Sequence, residues 1–377
     1  MIYLDHNATT PIAPEVVEAM RPYWGEQYGN PSSSHGLGHL AKQALEEARS
    51  QVAELLGCLP SEIVFTSGGT ESNNAVIKGV ARSLSEKGRH IITTAIEHPA
   101  VTNPCLFLLY EGYDVTFLPV DSSGQVDPSA VKDAIRPTTI LISVMHANNE
   151  TGTIQPISEI GALARDAGVL FHTDAAQSAG KIPVRVSELE VDFLSFAGHK
   201  MYAPKGIGAL FVRDGLKIEP FMHGAGQESG RRAGTENVMF AVALGSACAL
   251  ALERISADAE RIRHLRDRLH GLLAKHVPGL VLHGHPEARL PNTLNVSLPG
   301  VDGGTLLDAA PEICASTGAA CHDRSVRLSH VLAAMQVPEE IGRSAVRLSL
   351  GRGNTEAEIE TAVHIIVKAY RLLLEEK

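Results

Sequence analysis

Apolar and polar positions change their period along the chain, and the period names the elements. Ala41 to Leu56 carries Leu45, Ala48, Val52 and Leu55 on one face at helical spacing, and Gly57 stops the pattern. Glu62–Thr66 (EIVFT) is a short β-branched run, followed by a glycine turn and a second helix from about Thr70. Further strands are predicted at His90–Thr93, Asp114–Leu118, Ile140–Met145, Leu170–His172, Phe193–Phe196 and Ala209–Val212, with helical stretches such as Pro128–Ile135 and Ile157–Ala167 between them. Strands alternating with helices predict an α/β fold with a mostly parallel sheet covered on both faces. From about Met239 to His276 the pattern is one long helix, Ala/Leu-rich and then Arg-rich. The strand patterns in ARLPNTLNVSLP and SAVRLSLG, with a last helix over Glu356–Leu373, predict a smaller α+β lobe. The expected division is a large domain over residues 11–254 and a small one built from residues 1–10 and 255–377.

Composition narrows the function class. A chain of 377 residues, 44% hydrophobic and 20% charged, can bury a large core without a disulfide or metal staple. Its net charge of −10 argues against a nucleic-acid surface. MIYLDHNATT lacks the charged-then-apolar order of a signal peptide, and no stretch reaches the ~18 uncharged apolar residues of a membrane span. The 5 cysteines (Cys58, Cys105, Cys248, Cys314 and Cys321) are odd in number and scattered, which predicts a reducing, cytoplasmic setting. Cys248 lies in an apolar helix and reads as core; Cys314 follows Ile313 and reads as strand core.

Five segments suggest chemistry. In SFAGHKMYAPKGIG, Lys200 follows a predicted strand beside His199. A lysine near the end of a buried strand can lose its proton and bond covalently to an aldehyde cofactor. In HTDAAQSAG, Asp174 ends a strand, where open α/β sheets bind ligands, and a carboxylate there suits a pyridine nitrogen. TSGGTESN, with Thr70, is a glycine turn into a helix N-terminus, suited to a phosphate. In AIEHPA, His98 offers a flat ring that can stack and move protons. In CASTGAACHDRSVRLSHVL, Cys321 follows a run of small residues that packs poorly, which predicts a loop with an exposed thiol favoured as thiolate by His322 and Arg324. Each has a plainer alternative: a surface lysine, a helix-capping Asp, an ordinary turn, a structural His and an inert surface cysteine. A metal site of Cys321, His322 and His330 matches no trusted zinc spacing.

Taken in order, the segments resemble the cysteine desulfurases, class-V, fold-type I enzymes dependent on pyridoxal 5′-phosphate. The motifs are YLDHNATTP, YGNPSSSH, TSGGTESNN, EHPAV, HANNETGTIQPI, HTDAAQS, GHKMYAPKGIGAL, RAGTEN and VRLSLGR, and they span nearly the whole chain. The resemblance implies that Lys200 carries the cofactor, Asp174 pairs with its ring nitrogen and His98 stacks on the ring. It implies Asn149 and Gln177 at the ring hydroxyl, and Gly69, Thr70 and His199 at the phosphate, with Thr235 joining from a second subunit of a homodimer. Arg347, with Asn30, would bind the substrate carboxylate. Cys321 would take sulfur from L-cysteine as a persulfide, release alanine, and pass the sulfur to a protein or small-molecule acceptor, iron–sulfur cluster assembly being one such use in the family.

Two departures stand out. Relatives often have a hydroxyl residue where this chain has Ala197, which implies one phosphate contact fewer. Relatives usually carry small hydroxylated residues after the catalytic cysteine, where this chain has the charged HDRSVRLSH. A selenocysteine lyase or other sulfur-amino-acid lyase on the same scaffold is therefore an alternative. A non-catalytic sulfur-trafficking scaffold is a third reading, against which the presence of Lys200, Asp174 and Cys321 argues.

Overall fold

The computed structural model describes residues 1–317 and 328–375. In chain order its strands are β1 (Ile2–Tyr3), β2 (Ile63–Thr66), β3 (His90–Thr94), β4 (Asp114–Leu118), β5 (Thr139–Ser143), β6 (Leu170–Asp174), β7 (Phe193–Ala197), β8 (Gly208–Val212), β9 (Val281–His283), β10 (Thr293–Ser297), β11 (Ile313–Cys314) and β12 (Ala345–Ser349). The helices are α1 (Pro14–Met20), α2 (Gly36–Leu56), α3 (Gly69–Ser83), α4 (Pro99–Tyr110), α5 (Pro128–Ala134), α6 (Ile157–Asp166), α7 (Val186–Leu189), α8 (Val238–His276), α9 (Gly303–Asp308), α10 (His330–Ala334), α11 (Glu339–Gly342) and α12 (Glu356–Glu375).

The apolar runs that predict strands build a 7-stranded sheet in the order β2-β8-β7-β6-β5-β3-β4. Its neighbours are parallel except at β8, which runs against both β7 and β2. Alternating side chains feed two separate cores. Ile63, Phe65, Ile92, Ile142 and Phe196 pack with α2, α6 and the first half of α8. Val64, Ile91 and Leu141 face the other way, onto Val76 and Val80 of α3 and Val101 and Leu108 of α4. A strand buried on both faces must be apolar at nearly every position, which is why these runs are continuous.

A third cluster gathers Leu294 and Val296 of β10, Val346 and Leu348 of β12, and Ile359, Val363 and Ile366 of α12. The sheet there is antiparallel, in the order β12-β10-β9. The N-terminal residues Ile2 and Leu4 belong to this cluster, and β1 pairs with β11 in parallel. Helix α8 joins the clusters: Ala241, Leu244, Ala247 and Cys248 lie in the first, and Ile262, Leu265 and Leu269 in the third. We propose the division of the chain near residue 254, where α8 passes from one cluster to the other.

Four features differ from the pattern expected. Helix α4 is apolar on more than one side, with Phe107 44% exposed and Leu108 4% exposed, so no amphipathic period announces it. Strands β1 and β11, of 2 residues each, are too short to carry a period. Cys314 sits in β11 but is only partly buried. By length and composition α8 is apolar enough to cross a membrane, yet 50% of its apolar window is buried inside the protein.

One close approach constrains the sheet edge. Gly68, at φ +148°, occupies backbone space that favours glycine. A Cβ on the facing Gly208 would stand 2.7 Å from Gly68 Cα and 2.6 Å from the Phe196 carbonyl oxygen. Gly208→Ala is therefore expected to lower stability by about 1–3 kcal/mol in urea titration. Gly36→Ala, whose Cβ would meet nothing within 4 Å, is expected to stay within about 0.5 kcal/mol of the parent.

Candidate active site

Parallel strands bring their C-terminal ends to one edge, and the loops beyond collect there. Strands β3, β5, β6 and β7 run the same way, and β2, antiparallel to a strand antiparallel to β7, shares that direction. Gly69 and Thr70, His98, Asn149, Asp174 with Gln177, and His199 with Lys200 therefore all follow strand ends on one side of the sheet.

Lys200 ends a short 3-10 turn directly after β7. Its Nζ donates to the main-chain oxygens of Asn7 at 2.5 Å and Ala8 at 2.8 Å. Burial lowers its amine to about 8, Arg347 pushes the same way, and Asp174 and Asp5 oppose. A substantial fraction of the amine is thus neutral near physiological pH, as nucleophilic attack on an aldehyde requires. His199 touches Thr9 Oγ1 through Nδ1 at 3.2 Å. Burial, then Lys200, Lys205 and Lys181, lower it to about 4, so it is a neutral ring at pH 7.

Asp174 is 6% exposed at the end of β6. One oxygen accepts from Asn73 Nδ2 of α3 at 2.7 Å, and the other from the Ala176 main-chain N–H at 2.9 Å. The bond to Ala176 closes a local turn, since the next helix starts only at Val186, and the bond to α3 is additional. His98 caps α4, its Nδ1 accepting from the Ala100 N–H at 3.1 Å, so a neutral ring carries its proton on Nε2. Burial lowers its pKa, Asp174 opposes, and Lys200 and His330 add to the lowering. Charge coupling thus links Asp174, His98 and Lys200 in one site.

Among the described residues no side chain caps the start of α3. Gly69 there would hold a Cβ 3.7 Å from Ala197 Cβ, so the position without a hydroxyl lies directly against the glycine turn. Thr70 is exposed in the first turn of α3. Thr235 is exposed on the turn before α8, a turn tied to α3 by the Arg232–Glu71 ion pair at 2.8 Å.

Arg347 is 3% exposed on β12. Its Nη2 donates to Asp5 Oδ1 at 2.8 Å and its Nη1 to the Asn149 main-chain oxygen at 3.1 Å. Its Nε is buried without a partner. Asn30 is exposed before α2, where its side chain accepts from the Ser32 N–H at 2.9 Å. Among the described residues no bond joins Asn30 to Arg347, whose partner is Asp5. Gln177 Nε2 donates to the Asn7 main-chain oxygen at 3.0 Å, and its Oε1 accepts from Lys181 at 2.9 Å.

Cys321, with His322 and Arg324, lies outside the described residues. Its flanks are anchored in the site. Ser316 pairs with Arg347 through main-chain bonds of 2.6 and 3.3 Å. Ser329 Oγ donates to Glu150 Oε2 at 2.5 Å, and His330 Nε2 meets the Glu97 main-chain oxygen at 3.0 Å.

Residues 2–361 match the aminotransferase class-V family. The chain belongs to that family. It is 47% identical to a protein of Dictyoglomus turgidum named cysteine desulfurase IscS, over 97% of this chain and 93% of that one. It is 49% identical to cysteine desulfurase IscS of Methanosarcina thermophila, over 97% and 91% of the two chains. Among solved structures, a NifS-like protein superposes with a TM-score of 0.93 at 40% identity, covering 98% of this chain and 99% of that chain. A structure titled SspA in complex with cysteine gives a TM-score of 0.82 at 38% identity, covering 93% and 99%.

The class-V fold also enlists residues to which the sequence reading gave no role. Asp5 and Asn7 sit in the YLDHNATTP motif, but only their contacts separate them from their neighbours. Lys181 follows Gln177 by four positions in a turn, a spacing with no chemical signature of its own. Glu97 precedes His98; its Oε1 accepts from Thr94 Oγ1 at 2.7 Å and from the Met145 N–H at 3.0 Å. Burial pushes Glu97 up to about 8. Glu150, also raised by burial, receives the Ser329 hydroxyl and so holds the far flank of the cysteine stretch.

A titration of Lys200 follows from this geometry. Acylation of the cofactor-free protein by acetic anhydride, read by mass spectrometry on the Lys200 peptide, is expected to rise about tenfold per pH unit below its midpoint. It should level above about 8, the pH at which the buried amine is half neutral. Exposed lysines should go on rising to about 10.4.

Proposed function

We propose that the chain is a cysteine desulfurase that uses pyridoxal 5′-phosphate, converts L-cysteine to L-alanine, and takes the sulfur onto Cys321 as a persulfide for an acceptor. The observation that carries this reading is the meeting of Lys200, Asp174 and His98 on one sheet edge, in a chain of the class-V family with relatives named cysteine desulfurase.

The donor set fits the cofactor. Lys200 offers a depressed amine for its aldehyde, and Asp174 a buried carboxylate for its ring nitrogen. The uncapped start of α3, with Gly68 at positive φ, offers main-chain N–H groups for its phosphate. Gly69, Thr70 and His199 would hold the phosphate, with Thr235 reaching the site of a second subunit in a homodimer. Asn149 and Gln177 would face the ring hydroxyl, and His98 would stack on the ring. When bound, the cofactor supplies the electron sink for charge released at the substrate Cα.

The residues then divide the work. Arg347, kept in place by Asp5, would bind the substrate carboxylate through its remaining N–H groups, with Asn30 joining from the turn before α2. Lys200, displaced by the substrate amine, would take the proton from Cα. The Cys321 thiolate would attack the substrate sulfur; the S–S bond forms as the Cβ–S bond breaks, Cβ keeps the bonding pair and takes up a proton, and the carbon skeleton leaves as alanine. The cysteines Cys58, Cys105, Cys248 and Cys314 are free, which supports a reducing, cytoplasmic setting.

Alanine release from L-cysteine and from L-selenocysteine, measured side by side, tests the reading. Wild type should turn over cysteine. Cys321→Ser should lose at least about 100-fold, as expected on removing a catalytic nucleophile, and Lys200→Ala should lose all turnover. Turnover of selenocysteine alone, unaffected by Cys321→Ser, would instead identify a selenocysteine lyase. Ala197→Ser, which restores a hydroxyl beside Gly69, is expected to tighten cofactor binding about tenfold, the worth of one hydrogen bond to a charged group. Equilibrium dialysis of the cofactor measures this directly.

A further inference from the structure

Lys181 lies four residues beyond Gln177, and the function described above leaves it unused. Its Nζ donates to Gln177 Oε1 at 2.9 Å and to Asn7 Oδ1 at 3.1 Å. Burial holds this amine well below the ordinary lysine range, and Lys200 and Arg347 push in the same direction. The other titratable groups it acts on are His6 and His199. Charged or neutral, the amine has at least two N–H donors, one for each of its two oxygen partners.

Those two bonds decide which way both amides point. Gln177 Nε2 donates to the Asn7 main-chain oxygen at 3.0 Å, the same oxygen that receives Lys200 Nζ at 2.5 Å. Turning the Gln177 amide over would set its NH2 against the donors of Lys181 and its oxygen against the Asn7 carbonyl. Both contacts would be repulsive. The Asn7 amide is fixed in the same way. Its oxygen accepts from Lys181 and from Asn292 at 2.9 Å, and its Nδ2 donates to Thr293 Oγ1 at 2.8 Å and to the Asn149 main-chain oxygen at 3.1 Å.

We propose that Lys181 is a positioning residue: it locks the amides of Gln177 and Asn7 so that a Gln177 N–H and the Lys200 amine converge on the Asn7 main-chain oxygen. The inference rests on the cofactor reading only for the consequence at the ring. There the Gln177 N–H would stabilise negative charge on the ring oxygen. Without it, the ring oxygen would hold a neighbouring proton more tightly.

Two measurements on Lys181→Met and Lys181→Arg test the idea. In cofactor-free protein labelled with 15N-glutamine, the Gln177 side-chain amide should be protected from hydrogen exchange in the wild type. Lys181→Met should lose that protection, and Lys181→Arg, which keeps donors only, should retain it. In the cofactor-loaded enzyme, the pH midpoint of the visible band should rise by about one unit in Lys181→Met, a tenfold change in proton affinity. It should rise as much in Gln177→Ala, and no further in the double variant. Loss of amide protection with no visible band even in wild type would keep the positioning role and overturn the cofactor reading. Retained protection in Lys181→Met, or midpoint shifts that add in the double variant, would overturn the positioning role. Should Lys181→Met fail to fold, Lys181→Leu, which likewise has no donor, takes its place, with the same outcomes deciding.

Discussion

The site hangs on one asparagine near the N-terminus. Asn7 receives Lys200 and Gln177 on its main-chain oxygen, and its N–H donates to Ser349 Oγ at 2.9 Å on β12. Its side chain ties Lys181, Asn292, Thr293 and the Asn149 carbonyl together. The segment that carries it begins as β1 against β11 and reaches β7's turn where the Thr10 N–H donates to the His199 oxygen at 2.9 Å. A buried polar group without a partner costs about 1–3 kcal/mol, so a residue with every polar group bonded can be held in a single arrangement. Through this residue the core around β10 and β12, which carries Arg347, is set against the sheet edge that carries Lys200.

Burial then sets the charge state of that edge. Lys200, His98, His199 and His146 are all pushed toward their neutral forms, and the carboxyl of Glu97 is raised to about 8. Asp174 counters the lowering at both Lys200 and His98. Below the sheet edge, His172 bridges Ser143 Oγ at 2.8 Å and Ser195 Oγ at 3.0 Å, joining β5, β6 and β7 by side chains as well as main chain. A buried carboxylate at Asp174 beside a ready amine at Lys200 suits chemistry in which negative charge must be drawn away from a substrate carbon.

Periodicity made the large sheet legible because its strands are continuous apolar runs between glycine turns, and observed strand ends fall within two residues of those expected. The helix before Gly57 was legible for the same reason: Gly57 adopts φ +67° and closes it. Contacts far apart in sequence were not legible. The Arg347–Asp5 pair spans 342 positions, and no local pattern announces it. Asn30 illustrates the opposite case: its motif is plain in the sequence, yet its side chain is engaged with Ser32 in its own turn. Motif spacing assigns residues to loops at one sheet edge, whereas the bonding of each amide and guanidinium is settled only by the packing of distant segments.

The central claim is that sulfur leaves cysteine for Cys321 only when Lys200 is present. Mass spectrometry of the Cys321 peptide after brief exposure of the cofactor-loaded protein to L-cysteine tests it most directly, with the persulfide trapped by alkylation. The account predicts a gain of one sulfur atom on that peptide, removed by thiol reductant and absent in Lys200→Ala. Sulfur on a different cysteine peptide, or on Cys321 in Lys200→Ala as fully as in the wild type, would contradict it.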